Sequence, residues 1–357
     1  MEIERRVALR FHPDAVAANT HINLSAVRSD GQCLWVAGDE TATVERLTPD
    51  EGGFGNQRAF RLADLVELPG PPEQEADIEG LARSGGFLWA IGSHSLIRKR
   101  VKPTHSDAKA IRRLGQVRRD ENRYVIARLA VQNGADGLPE LIKSTDDGRT
   151  SAVFGAAGEP NLADLLAEDE HLAPFLAIPA KDNGFDVEGL AVHGQTLYAG
   201  LRGPVLRGFA VVLEVLPEEA APGRLRLAPL DDGRPYRKHF LDLNGLGVRD
   251  LCPHGPDLLI LAGPSMDLDG PVRVYRWHDA AVRDTSAVAR GAQLTVEIEL
   301  TYGEGDDHAE GIALLPGPEP DSPPQLLVVY DSPAIHRRPR EDVVFADVVR
   351  LPGPGSG

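Results

Sequence analysis

The chain has 357 residues, and its 38 Lys and Arg against 54 Asp and Glu give a formal charge of −16, which excludes a protein built as a whole to coat nucleic acid or an anionic membrane. A hydrophobic content of 42% supports a large core, while 37 Gly and 28 Pro mark a turn-rich globular chain. Two distant cysteines, Cys33 and Cys252, exclude a disulfide framework and a Cys-based zinc site; with no leader-like apolar stretch after Met1 and no apolar run longer than Leu258–Ala262, the expected location is the cytoplasm, off the membrane.

In chain order, the alternation of apolar and polar residues first predicts a lone strand over Glu4–Phe11. A pair of short apolar segments joined by a small turn follows, Asn23–Val27 with Cys33–Asp39, and the same pair returns as Asp77–Leu81 with Phe87–Ser93. Next come a basic stretch from Arg98, a helix over Ser106–Leu114, a strand over Tyr124–Val131 and a helix over Asn161–Leu172 started by Pro160 and Asn161. The pair recurs as Asp186–Leu190 with Thr196–Gly200, as Val248–Leu251 with Asp257–Gly263, and as His308–Ile312 with Gln325–Asp331. Further strands are predicted at Phe209–Val215, His239–Leu243, Val272–Trp277, Leu294–Leu300 and Val343–Leu351.

Ser25, Glu79, Glu188, Arg249 and Glu310 hold equivalent places in this repeat, and the intervals between them are alike except for one of nearly double length, Glu79 to Glu188. Repeats of about 40–60 residues with four strands and no long helix are the signature of a β-propeller. The expected fold is therefore all-β: five four-stranded blades, with six as the alternative if the long interval hides a unit, and a β-sandwich as the competing architecture. The blades span 22–70, 76–182, 185–243, 247–300 and 307–351 within a single domain, 1–351. Residues 3–11 pair into the last blade to close the ring, a basic and helical insertion, 98–175, lies inside the second blade, and 352–357 form a flexible tail. Prolines at 69–72 and 316–324 fall in loops.

In a propeller the start of each first strand and the end of each second strand open on one face, which gathers Ser25, Asp39, Asp77, Glu79, His94, Asp186, Glu188, Arg202, Arg249, Asp250, Ser265, His308, Glu310 and Asp331 around one channel mouth. Three glutamates ~6 Å apart at an effective dielectric of about 20 would repel by roughly 8 kcal/mol in total, comparable with a domain's net stability. A hard cation, an arginine such as Arg202 or Arg249, or a proton held at raised pKa must compensate. Oxygen-rich ligands and scarce thiols favour Ca²⁺ or Mg²⁺, with Glu79, Glu188, Glu310, Asp77, Asp186 and Asp250 as the metal-ligand set. The competing reading has each Glu accept backbone N–H bonds from the neighbouring blade, its Gly permitting a tight entry.

His94 and His308 are the expected proton carriers by position, and Arg98, Lys99, Arg100, Arg202 and Arg249 the expected anion-binding residues. From Arg98 to Arg128, eleven Lys and Arg stand against three acids, a local balance of +8 that leaves −24 for the rest. That stretch suits a small anionic molecule or, as the alternative, an acidic protein or nucleotide at 98–128; nucleic acid is disfavoured because no aromatic precedes Tyr124. Met266–Gly270 starts like a calcium loop but lacks the downstream Glu, and Gly245–Gly247 lacks the rest of a dinucleotide fingerprint. Neither GxSxG, HExxH nor a credible SxxK is present.

The entries Asp77–Leu81, Asp186–Leu190 and His308–Ile312, with Gly92–Ser95 between, resemble an uncharacterised bacterial β-propeller family and, more distantly, the esterase-like phytase, SdiA-regulated-type and gluconolactonase-type propellers. The last resemblance implies a central Ca²⁺ held by Glu79, Glu188 or Glu310. The expected function is thus a divalent-cation-dependent hydrolase of a small anionic ester, phosphoester ahead of lactone. The alternative is a non-catalytic propeller with a structural channel metal and a docking insertion.

Overall fold

The computed structural model describes residues 3–266, 268–319 and 322–352. Part of the loop 316–324, one residue of the turn 266–270 and all but the first residue of the tail 352–357 lie outside the described residues. The first strand, β1 (Ile3–Arg10), belongs to the end of the fold. Next comes a set of four, β2 (Leu24–Ser29), β3 (Leu34–Gly38), β4 (Thr43–Asp50) and β5 (Gly53–Arg61). The second set holds β6 (Ile78–Ser84) and β7 (Phe87–Gly92), then an arm with β8 (Ile97–Arg98) and β9 (Val117–Arg118), then β10 (Ile126–Asn133), β11 (Pro139–Ile142) and β12 (Ala152–Phe154).

The third set is β13 (Asp186–His193), β14 (Thr196–Gly203), β15 (Phe209–Ala221), β16 (Arg224–Ala228) and β17 (Arg237–Asp242). The fourth is β18 (Gly247–His254), β19 (Asp257–Gly263), β20 (Val272–Trp277), the short β21 (Val288–Ala289) and β22 (Leu294–Leu300); the fifth is β23 (His308–Leu315), β24 (Gln325–Asp331) and β25 (Val343–Arg350). Antiparallel ladders join β2-β3-β4-β5, β6-β7-β10-β12, β13-β14-β15-β17, β18-β19-β20-β22 and β23-β24-β25-β1.

The five inner strands, β2, β6, β13, β18 and β23, pack each against the next, and β23 returns to β2. That closed ring makes the fold a β-propeller and removes the sandwich alternative. The core follows from it: apolar side chains lie between the faces of neighbouring sets, as with Trp35 and Leu81 between the first and second, Ile91 and Leu190 between the second and third, and Leu261 and Val328 between the fourth and fifth. Closure is made by β1, which runs antiparallel to β25 from Ile3↔Val349 to Arg10↔Val343 and parallel to β5 at Ala8↔Gly53. Val7 and Leu9 are buried in the cluster that joins the last set to the first.

Two sequence expectations need correction inside the long interval. It holds the short strands β8, β9, β11 and β12 as well as β10, because strands of two to four residues broken by turns leave no alternating pattern long enough to read. The expected helix over Asn161–Leu172 stops at Leu165: Asn161 caps it as foreseen, but Asp169 accepts bonds from the backbone N–H groups of His171 and Leu172 and turns the chain instead. The helix after Ser106 is present as Asp107–Leu114.

Candidate functional site at the channel mouth

Every inner strand carries a register shift at the same place. The ladder skips Ser25, Glu79, Glu188, Arg249 and Glu310, so each of these five equivalent residues sits on a β-bulge. A bulge re-aims a side chain and bends the strand. On β14 a further skip falls on Arg202, opposite Asp186 and Val187. Several non-glycine residues on the loops of this face also adopt positive φ, among them Asp77 (49°), His94 (53°), Asp307 (54°) and Ser332 (48°); such strain concentrates where function over-determines the backbone.

The glycine after each glutamate answers to close approach. A Cβ at Gly80 would lie 2.7 Å from the Leu190 Cβ and 2.8 Å from its backbone nitrogen, one at Gly189 would lie 3.1 Å from the Asp250 backbone, and one at Gly311 would lie 3.1 Å from the Val27 nitrogen. The Glu-Gly repeat therefore combines a bulged polar residue with contact between neighbouring inner strands.

The carboxylates that meet here are linked mainly by arginine. Arg202 pairs with Asp186 and with Glu188 at 2.7 Å; Arg249 spans Glu188 at 3.2 Å and Glu310 at 2.6 Å and donates to the Pro264 carbonyl at 2.9 Å. Arg123, from the end of the basic insertion, pairs with Asp77 and with Glu75 at 3.0 Å. Ser25 donates to the carbonyls of Ala37 and Ile78. Among the described residues neither Asp39 nor Glu79 has a cationic partner or a side-chain hydrogen bond, and Asp39 Oδ1 is buried.

The shortage of cations shows in the protonation of these groups. Burial and the neighbouring Asp77, Asp331, Glu40 and Glu310 push the Asp39 carboxyl up to about 8. Burial, Asp77 and Glu188 raise Glu79 well above the usual carboxylate range. Burial lifts Glu188 to about 7, and Asp77 and Asp186 to about 6, each against the pull of its arginine.

Asp250 does not join this set. It lies deeper, held in a bidentate pair by Arg28, with contacts of 2.7 and 3.2 Å. Arg28 also donates to the carbonyls of Val27, Leu190, Leu251 and Ile312, so one guanidinium ties four of the five inner strands together.

His94 is buried beside Tyr124, its Nδ1 2.8 Å from the Gly92 carbonyl; burial pulls its pKa down to about 4, and its charged neighbours are Arg119 and Asp164 rather than the glutamates. His308 stands at the rim, Nε2 3.3 Å from Asp269 and Nδ1 4.0 Å from Asp331, and these carboxylates raise its pKa. It lines a shallow cleft of about 20 Å³, room for about one water, with Arg249, Glu310, Leu268, Asp269 and Tyr302. Arg98 pairs with Asp182 at 2.7 Å at the root of the arm, and Lys99 and Arg100 lie along the arm, outside the arginine-carboxylate chain.

A hard divalent cation such as Ca²⁺ takes six to eight oxygens. Four of the six expected ligands, Glu188, Glu310, Asp77 and Asp186, are engaged by arginine, and a fifth, Asp250, by Arg28. No three of His, Cys, Asp and Glu among the described residues are disposed to hold a metal ion. The expected six-carboxylate cage does not fit, because arginines already supply the compensating charge. Arg202 and Arg249 are likewise taken up by carboxylates rather than open to an anion.

Sequence reasoning missed Arg28 and Arg123. Arg28 had a signal: its equivalents are Ala82, Ala191, Cys252 and Ala313, and Asp250 stands where Gly80, Gly189 and Gly311 do, so two lone charges at inward positions imply each other. Arg123 was hidden in the basic run.

The family described as "Protein of unknown function (DUF3616)" matches residues 23–347. No curated protein matches the chain. Similar solved structures include a glutaminyl cyclase from Myxococcus xanthus (11% identity, 98% of this chain and 97% of that one, TM-score 0.41). Others are the PQQ-bound aldose sugar dehydrogenase from Streptomyces coelicolor (14%, 97% and 98%, TM-score 0.35) and a streptogramin B lyase (9%, 97% and 98%, TM-score 0.33). At these levels the likeness assigns neither substrate nor residue.

Proposed function

We propose that this chain, which belongs to the DUF3616 family, binds a small polar ligand at the mouth of a five-bladed propeller, each four-stranded set being one blade, and acts on it by proton transfer. The observation that carries this reading is the pair Asp39 and Glu79, two carboxyls without a cation in a mouth whose arginines are already shared. A carboxyl whose pKa is raised keeps its proton closer to neutral pH and can donate it or a hydrogen bond. His308 adds a second proton carrier at the rim of the adjoining cleft. A ligand that accepts hydrogen bonds at Glu79, or that brings its own positive charge to replace the protons, matches this mouth better than a free anion. Hydrolysis of a small ester, phosphoester or lactone, is the reaction class for which a proton donor at the leaving oxygen serves.

Divalent-cation-dependent hydrolysis remains the second reading, favoured by the same two uncompensated carboxyls, Asp39 and Glu79, which a bound cation would draw together. One experiment separates the two. Thermal stability and turnover of an ester panel are measured for the wild type, Glu79→Gln and Asp39→Asn, with chelator and with Ca²⁺ or Mg²⁺. Loss of turnover in both variants with no response to metal supports proton chemistry; metal stabilisation that vanishes in both variants supports the cation reading. Absence of turnover and of any metal response would leave a binding platform and reject both.

A further inference from the structure

The mouth face carries two surface features outside the Asp39–Glu79 pair. β7 ends at the mouth with Gly92 and β10 starts there with Ile126, so the segment between them stands on that face. It is an arm: β8 and β9 pair over only two residues each and carry the helix Asp107–Leu114, of which no residue is buried. Ile111 is 70% exposed, and Leu114 and Val117 are exposed beside it. Around them Lys99, Arg100, Lys102, Lys109 and Arg112 have no carboxylate partner among the described residues.

Across the ring the charges invert. The loops after β19 and β22 also open on the mouth side, since β18 and β23 start there. They expose Leu268, at 60%, and Tyr302, with Asp269, Glu304 and Asp306 alongside. One edge of the face is therefore basic with an apolar centre and the opposite edge acidic with an apolar centre. Exposed apolar residues ringed by charge mark an interaction surface, and a two-fold axis brings two complementary patches of one face together twice.

We propose that two copies of this chain associate mouth to mouth, the basic arm of each lying on the acidic rim of the other. Between Gly92 and Ile126 ten Lys and Arg stand against three acids in a chain of −16, and the cations without a carboxylate partner among the described residues give an acidic rim of a second copy something to pair with. The contact does not need Asp39 or Glu79, but its acidic rim shares Leu268, Asp269 and Tyr302 with the cleft that His308 lines.

Sedimentation velocity on the full chain at low and high salt tests it. A dimer is expected at low salt, weakening as salt screens the contact. Lys109→Glu/Arg112→Glu and Glu304→Lys/Asp306→Lys each weaken self-association by at least about tenfold, with melting temperatures unchanged because the sites are on the surface. Mixing the two variants restores a heterodimer, in which both contacts again pair opposite charges. A monomer at every salt concentration, or a dimer indifferent to both reversals, would overturn the proposal. So would capture of a monomeric wild type by anionic vesicles through Lys109 and Arg112, which would assign the arm to lipid.

Discussion

A residue as small as glycine limits how closely two blades approach. At Gly80 an added Cβ meets both the side chain and the backbone of Leu190, while at Gly115 the nearest atom is 3.7 Å away. Gly80→Ala is therefore expected to cost about 1–3 kcal/mol and Gly115→Ala close to nothing, as urea unfolding would read. The neighbouring glutamate predicts an unusual pH dependence. Asp39, Glu79, Glu188, Asp77 and Asp186 all have folded pKa values above their ordinary ones, so the folded state binds more protons. The stability they contribute is complete below about pH 4 and is lost as pH rises through about 6, 7 and 8. The melting temperature should fall from about pH 5 to about pH 9, and Glu79→Gln or Asp39→Asn should flatten the decline and raise the alkaline end. A flat wild-type profile would mean that these carboxyls ionise normally.

Strands in this fold are held by what lies on both sides of them, and the inner five share one further tie. Arg28 and Asp250 are both buried, and their pair satisfies backbone groups of other strands, with Asp250 also accepting from the N–H of Ile312. Asp250→Asn alone leaves a buried guanidinium unpaired and is expected to cost about 3–5 kcal/mol; adding Arg28→Met should recover only part of it, since it removes the unpaired charge but takes the donor from four buried carbonyls. A double-mutant cycle in denaturant measures the coupling. At the ring's seam, Leu9 on β1 is fully buried, so Leu9→Ala should cost about 2–5 kcal/mol and the loss should be global rather than confined to the N-terminus, because β1 bridges the last set to the first.

For the whole molecule, the balance of charge in the mouth decides what it can hold. If a divalent cation does enter between Asp39 and Glu79, it must displace protons, so stabilisation by Ca²⁺ or Mg²⁺ should grow from about pH 6 to about pH 9 and disappear in the double variant Asp39→Asn/Glu79→Gln. A metal shift independent of pH would place the ion elsewhere. Much of this architecture was legible beforehand: the Asp-x-Glu-Gly entries identified the inner strands and the equivalence of Ser25, Glu79, Glu188, Arg249 and Glu310, because a repeat must reuse one backbone solution at each turn of the ring. The short strands β11 and β12 were not, since three or four residues carry no period. The amino-acid sequence by itself determined the propeller, the closing role of Glu4–Phe11 and the collection of carboxylates at one face, all of which follow from local pattern and repetition. Only the tertiary structure decided which charges meet: that Arg202, Arg249 and Arg123 take most of the carboxylates, that Arg28 and Asp250 pair across the ring, and that Asp39 and Glu79 are left without a cationic partner among the described residues. Pairing across the ring joins residues as distant as Arg28 and Asp250, and the energy of a buried charge depends on partners that the order of residues along the chain does not reveal.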